Sequence, residues 1–240
     1  GGVLFAMVRF ESEKCLAEFV KSRSEGAFRK VVAEQSGLVL GTAMRSLNGD
    51  RGAAEDVMQE VFVLLAKKAG ELLKGKVVLS AWLYRQTCRL AANRVRGEVR
   101  RRKREETFGQ IKEGGEMDTN EVMEEIDLAL GELSEKEREL VICRYVEERD
   151  YAEMGKRFGM SGEAARKGVG RAVEKLRGVL ERRGAGVSVS ALSVMLVGLS
   201  GSRVSAALVS QVSGVAVEKG VATGTGMFSL GGILAGALGV

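Results

Sequence analysis

The chain has 240 residues, 45% of them hydrophobic and 29% charged, with a formal net charge of +5 and a pI near 9.2. That length suits two small domains, or one with appendages, and the basic balance favours a polyanionic partner. There is no His and no Pro, and Cys15, Cys88 and Cys143 stand apart without a C-x-x-C pair, which argues against a zinc site and removes the usual general base of neutral-pH catalysis. No Gly-rich phosphate loop or nucleophile motif takes their place, so no catalytic residue, metal, cofactor or small-molecule substrate is expected. Isolated cysteines read as small core residues of a reducing compartment. The first residues, Gly1 to Ala6, lack the basic start and cleavage-site pattern of a signal peptide, so a cytoplasmic location is expected.

In chain order, Phe19, Phe28, Val31, Val32, Leu38, Val39 and Met44 recur at helical spacing and predict two helices between about 16 and 47. Ser24 or Glu25 starts the second, and Asn48-Gly49-Asp50 ends it in a turn. A third helix is expected from about Ala53 to Leu73, with Val57, Val61, Leu64, Leu65 and Leu72 as its apolar stripe. Residues 73–79 form a loop carrying Lys74 and Lys76. Ser80 is an expected N-cap for a fourth helix that runs to about Glu106.

Residues 107–120 lack an apolar period and read as a linker. The stretch Glu113–Asp127 holds seven acidic residues and no basic one, the composition of a solvated tether. A second domain follows over 121–183. Ile126, Leu128, Leu130 and Leu133 belong to its first helix. Ser134 and Glu137 then form a capping box for the next, with Leu140, Val141 and Tyr145 on its apolar face. A short helix from Tyr151 is closed by Gly159, and Ser161 caps a longer one, about 162–183. That succession is the sequence shape of a helix-turn-helix. Residues 184–240 are rich in Gly, Ser, Ala and Val, with Arg203, Glu218 and Lys219 as the only charges. Two short apolar helices are expected there, over 187–199 and 204–217. The uncharged run 220–240 just reaches spanning length, but its glycines make it a poor insertion signal.

Three segments carry function. Asp56, Gln59 and Glu60 share one helix face, suited to pairing with arginines of a partner protein. Ser80–Glu105 holds nine Arg or Lys against two Glu. There Arg85, Arg89 and Arg96 can neutralise phosphates, Gln86 and Asn93 can read base edges, and Trp82 can stack on an unpaired base. The plain alternative for Trp82 is a core position. The longer helix of the second domain offers Ser161, Glu163, Arg166, Lys167 and Arg171 to duplex DNA, the alternative being an ordinary basic amphipathic helix.

Ala54–Phe62, Ser80–Arg85, Leu133–Leu140 and the helix-turn-helix occur in one order over residues 16–183. In that order the chain resembles a bacterial RNA polymerase sigma factor of the extracytoplasmic-function (ECF) group. The resemblance implies an all-α protein with two helical domains: a region 2-like domain over 16–106 and a region 4-like domain over 121–183. It implies core RNA polymerase and promoter DNA as partners, and leaves room for an anti-sigma factor. The helix of Asp56, Gln59 and Glu60 would grip the clamp coiled coil of the beta-prime subunit. The positions of Lys74, Lys76, Trp82, Arg85, Gln86, Arg89, Asn93 and Arg96 would lie at the −10 element and help melt it, with the loop 74–79 capturing a flipped-out base. The second domain, on the beta flap, would read the −35 element through Ser161, Glu163, Arg166, Lys167 and Arg171.

The chain departs from that family in three places. Ser134 stands where the family usually has Pro, and its capping box makes this tolerable. Gly168 and Gly170 stand where larger side chains are usual, and each interior Gly costs roughly 1 kcal/mol of helix stability; both are expected to remove DNA contacts. The extension 184–240 lies outside the pattern. From the residues alone two other readings stand: a free-standing helix-turn-helix regulator, which would have no need of the acidic helix, and a membrane-tethered signalling protein acting through its tail.

Overall fold

The computed structural model describes residues 11–74, 77–105, 119–199, 201 and 203–222. Lys76 and most of the expected linker lie outside these, as does the apolar end, 223–240. Among the described residues there are ten α-helices and no strand.

Four helices build the first domain: α1 (Glu11–Ser22), α2 (Glu25–Ser46), α3 (Arg51–Lys74) and α4 (Leu79–Glu105). Each junction has a local cause. Ser24 caps α2, its hydroxyl accepting from the Ala27 amide at 3.2 Å. After α2, Asn48 and Gly49 take φ of 51° and 79°, left-handed values that Asn and Gly tolerate best. The Asp50 carboxylate accepts from the Ala53 amide at 3.0 Å and so satisfies a free N–H of α3. Phe19 and Phe28 meet with ring centroids 4.7 Å apart, in a core completed by Val31, Val57, Val61, Phe62, Leu65 and Leu83. Ser80 does not cap α4. The helix begins one residue earlier, and buried Ser80 donates its hydroxyl to Glu147 of the second domain at 2.5 Å.

The second domain is α5 (Thr119–Glu132), α6 (Glu135–Tyr145), α7 (Tyr151–Phe158) and α8 (Gly162–Arg182). The capping box of Ser134 and Glu137 is present. Lys175 of α8 also reaches Glu137, at 2.8 Å, and together with Ser134 it holds that carboxyl down at about 2. Arg138 closes the end of α5 by donating to the carbonyls of Leu130, Gly131 and Leu133 at 2.8, 3.1 and 2.8 Å, doing with a side chain what a C-terminal glycine does elsewhere. A second capping box, Asp150 with Glu153, starts α7. Gly159 ends it at φ 65°, as the motif requires. Gly155 is needed for another reason: a Cβ there would lie 2.7 Å from the Met160 carbonyl oxygen and 2.9 Å from the Gly162 nitrogen. Leu128 lies in α5 as expected and is 53% exposed, while Leu133 falls just past the end of that helix.

The two short helices expected beyond residue 184 are present as α9 (Val189–Gly198) and α10 (Ala206–Ala222). They are not appendages. Leu192, Leu196 and Leu199 are buried in the core of the second domain, while Val209, Val212 and Ala216 are buried in the core of the first. Gly220 comes so near α3 that a Cβ would sit 2.5 Å from the Cβ of Ala66. No helix among the described residues is long and apolar enough to cross a membrane.

Candidate functional site

Asp56 and Glu60, one helical turn apart on α3, both point outward, with side chains 63% and 51% exposed. Two carboxylates at that spacing repel. Arg94 of α4 relieves the repulsion by bridging them, at 3.0 Å to Asp56 and 2.7 Å to Glu60. Partial burial of Arg94 works against its charge, but the bonds from Glu60 and Asp56 outweigh it and raise its pKa. With Gln59 these residues line an open groove of about 540 Å³ whose other walls include Leu64, Lys67, Arg89 and Lys219 of α10. By sequence Arg94 is one more cation of the basic helix. The structure makes it the counterion of the acidic face, a pairing that only the packing of α3 on α4 brings about.

The basic helix divides by exposure. Arg89, Asn93 and Arg96 are exposed, with Arg96 donating to Asn93 at 2.6 Å. Lys74 is exposed at the end of α3. Trp82 and Gln86 are buried, at 5% and 9%, so neither faces solvent as an interface residue would. Trp82 packs in the core of the first domain and lines a cavity of about 360 Å³ with Val77, Leu79, Lys156 and Arg157. The core alternative for Trp82 is thus the arrangement found. Gln86 Oε1 is buried without a hydrogen-bond partner, a condition that costs about 1–3 kcal/mol. Arg85 is committed to Glu135 of the second domain at 2.5 Å.

The second domain therefore sits against the same stretch of α4. Asp127 of α5, 6% exposed, is the centre of the junction. It accepts from Arg45 of α2 at 2.7 Å and from the Tyr84 hydroxyl of α4 at 2.8 Å. Burial raises the Asp127 carboxyl above its ordinary range, against the pull of Arg45. Burial, and then Asp127, push the Tyr84 hydroxyl well above 10. Removing one partner of such a buried pair costs about 3–5 kcal/mol, because the other charge is left unpaired. At the far end of the junction, Arg157 of the helix-turn-helix donates to the Val77 carbonyl at 2.8 Å and pairs with Glu13 of α1 at 2.6 Å. Glu13, Arg45, Asp127 and Arg157 did not stand out in the sequence, since each is an ordinary surface charge until the two domains meet.

In the second domain, Ser161 caps α8, its hydroxyl accepting from the Ala164 amide at 3.1 Å. Glu163, Arg166, Lys167 and Arg171 are all exposed on that helix, and Lys167 pairs with Glu163 at 2.9 Å. The two glycines of α8 differ. Gly168 faces inward, where a Cβ would meet the Leu140 side chain at 3.1 Å, whereas Gly170 has nothing within 4 Å. The expectation that both empty DNA-facing positions is corrected for Gly168, which is a packing position. The cysteines are core groups: Cys15 and Cys143 are buried, and burial pushes the Cys88 and Cys143 thiols up to about 12. Among the described residues no cluster of acidic or cysteine side chains could hold a metal ion.

Comparison with known proteins gives two family matches. Sigma-70 region 2 matches residues 32–104, and Sigma-70 region 4 matches residues 129–178. No curated protein sequence matches the chain. Among solved structures, it is similar to the sigma factor RpoE in complex with the anti-sigma factor NepR from Bartonella quintana, at 22% identity over 61% of this chain and 92% of that one, with a TM-score of 0.27. The two matched regions fall in order on the two helical domains, region 2 on α2–α4 and region 4 on α5–α8, with only a short stretch between them. The chain belongs to the sigma-70 family, and is a sigma factor that directs RNA polymerase to promoters.

Proposed function

We propose that Asp56, Gln59 and Glu60 form the grip on the clamp coiled coil of the polymerase beta-prime subunit, and that α4 with its preceding loop holds the opened −10 strand. The observation that carries this reading is that one helical domain presents both faces. The outward acids of α3 and the outward Asn93 and Arg96 of α4 lie on the same helical domain, with Arg94 bridging the acids and Arg89 lining their groove. Unstacking bases costs a few kcal/mol. Contacts to the single strand, by phosphate pairing and base-edge hydrogen bonds, offset that cost once the duplex opens. Lys74 is already exposed, and Arg85, Gln86 and the side of Trp82 that lines the cavity with Lys156 and Arg157 join this surface when the second domain leaves α4. The unpartnered amide oxygen of Gln86 then gains access to a donor.

In the same reading α8 enters the −35 major groove with Ser161, Glu163, Arg166, Lys167 and Arg171, while the second domain rests on the beta flap. Any protein covering α3 or α4 would silence the chain, which is how an anti-sigma factor would act on it. A chain that acts on core polymerase would do so in the cytoplasm. A photo-cross-linking residue in place of Gln59, in a complex with core polymerase, is expected to label the beta-prime subunit. Labelling confined to other subunits would remove the assigned grip.

A further inference from the structure

We propose that residues 184–222 are an intramolecular strap that holds the two domains closed, and that lifting α10 from α3 is the step that lets the chain span a promoter. This rests on the reading of the two DNA-binding faces above. Three observations meet here. The strap is anchored at both ends: α9 is buried in the second domain through Leu192, Leu196 and Leu199, and α10 in the first through Val209, Val212 and Ala216. The connector between them, residues 199–205, reaches at most about 25 Å when fully extended. Elements centred about 25 base pairs apart lie roughly 85 Å apart along a duplex rising 3.4 Å per step. With both helices seated, the anchor points of the strap can part by no more than about 25 Å, which limits how far the two domains can move apart.

The closed arrangement also shields the strand-binding surface. Arg85 is held by Glu135, the Val77 carbonyl by Arg157, and Tyr84 by Asp127. A strap that keeps the domains together therefore keeps α4 covered. Its release point is placed beside the polymerase grip. Lys219, at the end of α10, lines the groove of Asp56, Gln59 and Glu60, and Gly220 next to it touches Ala66 of α3. A cationic partner entering that groove meets Lys219 directly. Docking and the seating of α10 are thereby set against each other, and polymerase binding becomes the signal that opens the chain.

The test is to place a protease site within residues 200–205 of the full chain and cut it. Cutting leaves α9 and α10 each on its own domain and removes only the connection. Small-angle scattering on the free protein, before and after cutting, reads the separation of the domains. Fluorescence anisotropy with a mixed-sequence single-stranded DNA reads the exposure of α4. The expected result is an expanded particle and about tenfold tighter strand binding. Gly220→Leu, which drives a side chain into Ala66, is expected to give the same two changes without cutting. A particle that stays compact after cutting, with strand binding unchanged, overturns the strap. An expanded particle without any gain in strand binding overturns the shielding of α4. A chain that expands, yet in the polymerase complex still fails to touch the −10 strand, faults the strand-binding reading instead.

Discussion

Asp56→Arg combined with Glu60→Arg is expected to lower the affinity for core RNA polymerase by at least about 100-fold while leaving the fold intact. Both side chains are more than half exposed, and exposed ion pairs contribute only about 0.2–1 kcal/mol each. The free protein should therefore melt within about 2 kcal/mol of the wild type, the loss coming from the Arg94 pairs and from new repulsion with that arginine. At a protein interface the same two charges weigh more, since losing one hydrogen-bonded charge pair there costs about 2–5 kcal/mol. A hundredfold loss corresponds to about 2.8 kcal/mol at 1.4 kcal/mol per decade. Arg94→Ala is the control. It frees the two acids without reversing them, so docking should not weaken. If Arg94→Ala weakens docking as much as the double reversal does, Arg94 and not the acids makes the contact.

Gly155→Leu should destabilise the second domain by about 3 kcal/mol or more, the upper end of what overpacking costs. The atoms in the way are the Met160 carbonyl and the Gly162 nitrogen. Both are backbone, so they cannot move aside as a flexible side chain would. Relieving the clash moves the start of α8, and with it Ser161, Glu163 and Arg166, away from α7. Binding to a duplex carrying the −35 element should fall with stability. Gly170→Ala gives the opposite sign. Its Cβ meets nothing within 4 Å, and an interior helical Ala is favoured over Gly by about 1 kcal/mol. Denaturant melts of the two variants would show whether the two glycines differ as the geometry requires. Equal destabilisation would contradict the packing at the turn.

Much of this fold is legible in the sequence because its signals are local. Ser24, the Asn48-Gly49-Asp50 turn, the Ser134–Glu137 box, Gly159 and Ser161 each act within a few residues, and each is found in its expected role. Ser80 failed as a cap because its partner, Glu147, lies in another domain. The candidate sites divide in the same way. The exposed acids of α3 and the exposed cations of α4 and α8 were visible as charge on helix faces. The burial of Gln86, the bridging role of Arg94 and the junction of Arg45, Tyr84 and Asp127 were not, and for Trp82 the sequence left a core position and a stacking position both open. All of these depend on contacts between residues dozens of positions apart. The apolar tail was read as an extension of unknown role. Its division between two cores follows from the packing of both domains, which composition does not encode.

The account as a whole rests on the chain giving core polymerase a promoter preference. The direct measurement is run-off transcription from genomic fragments by sigma-free core polymerase, with and without the purified full chain. The account predicts discrete transcripts with defined 5′ ends that form only when the chain is added and are lost with the Asp56→Arg, Glu60→Arg variant. Transcription unchanged by the chain on every fragment, with no binding to core polymerase, would contradict it.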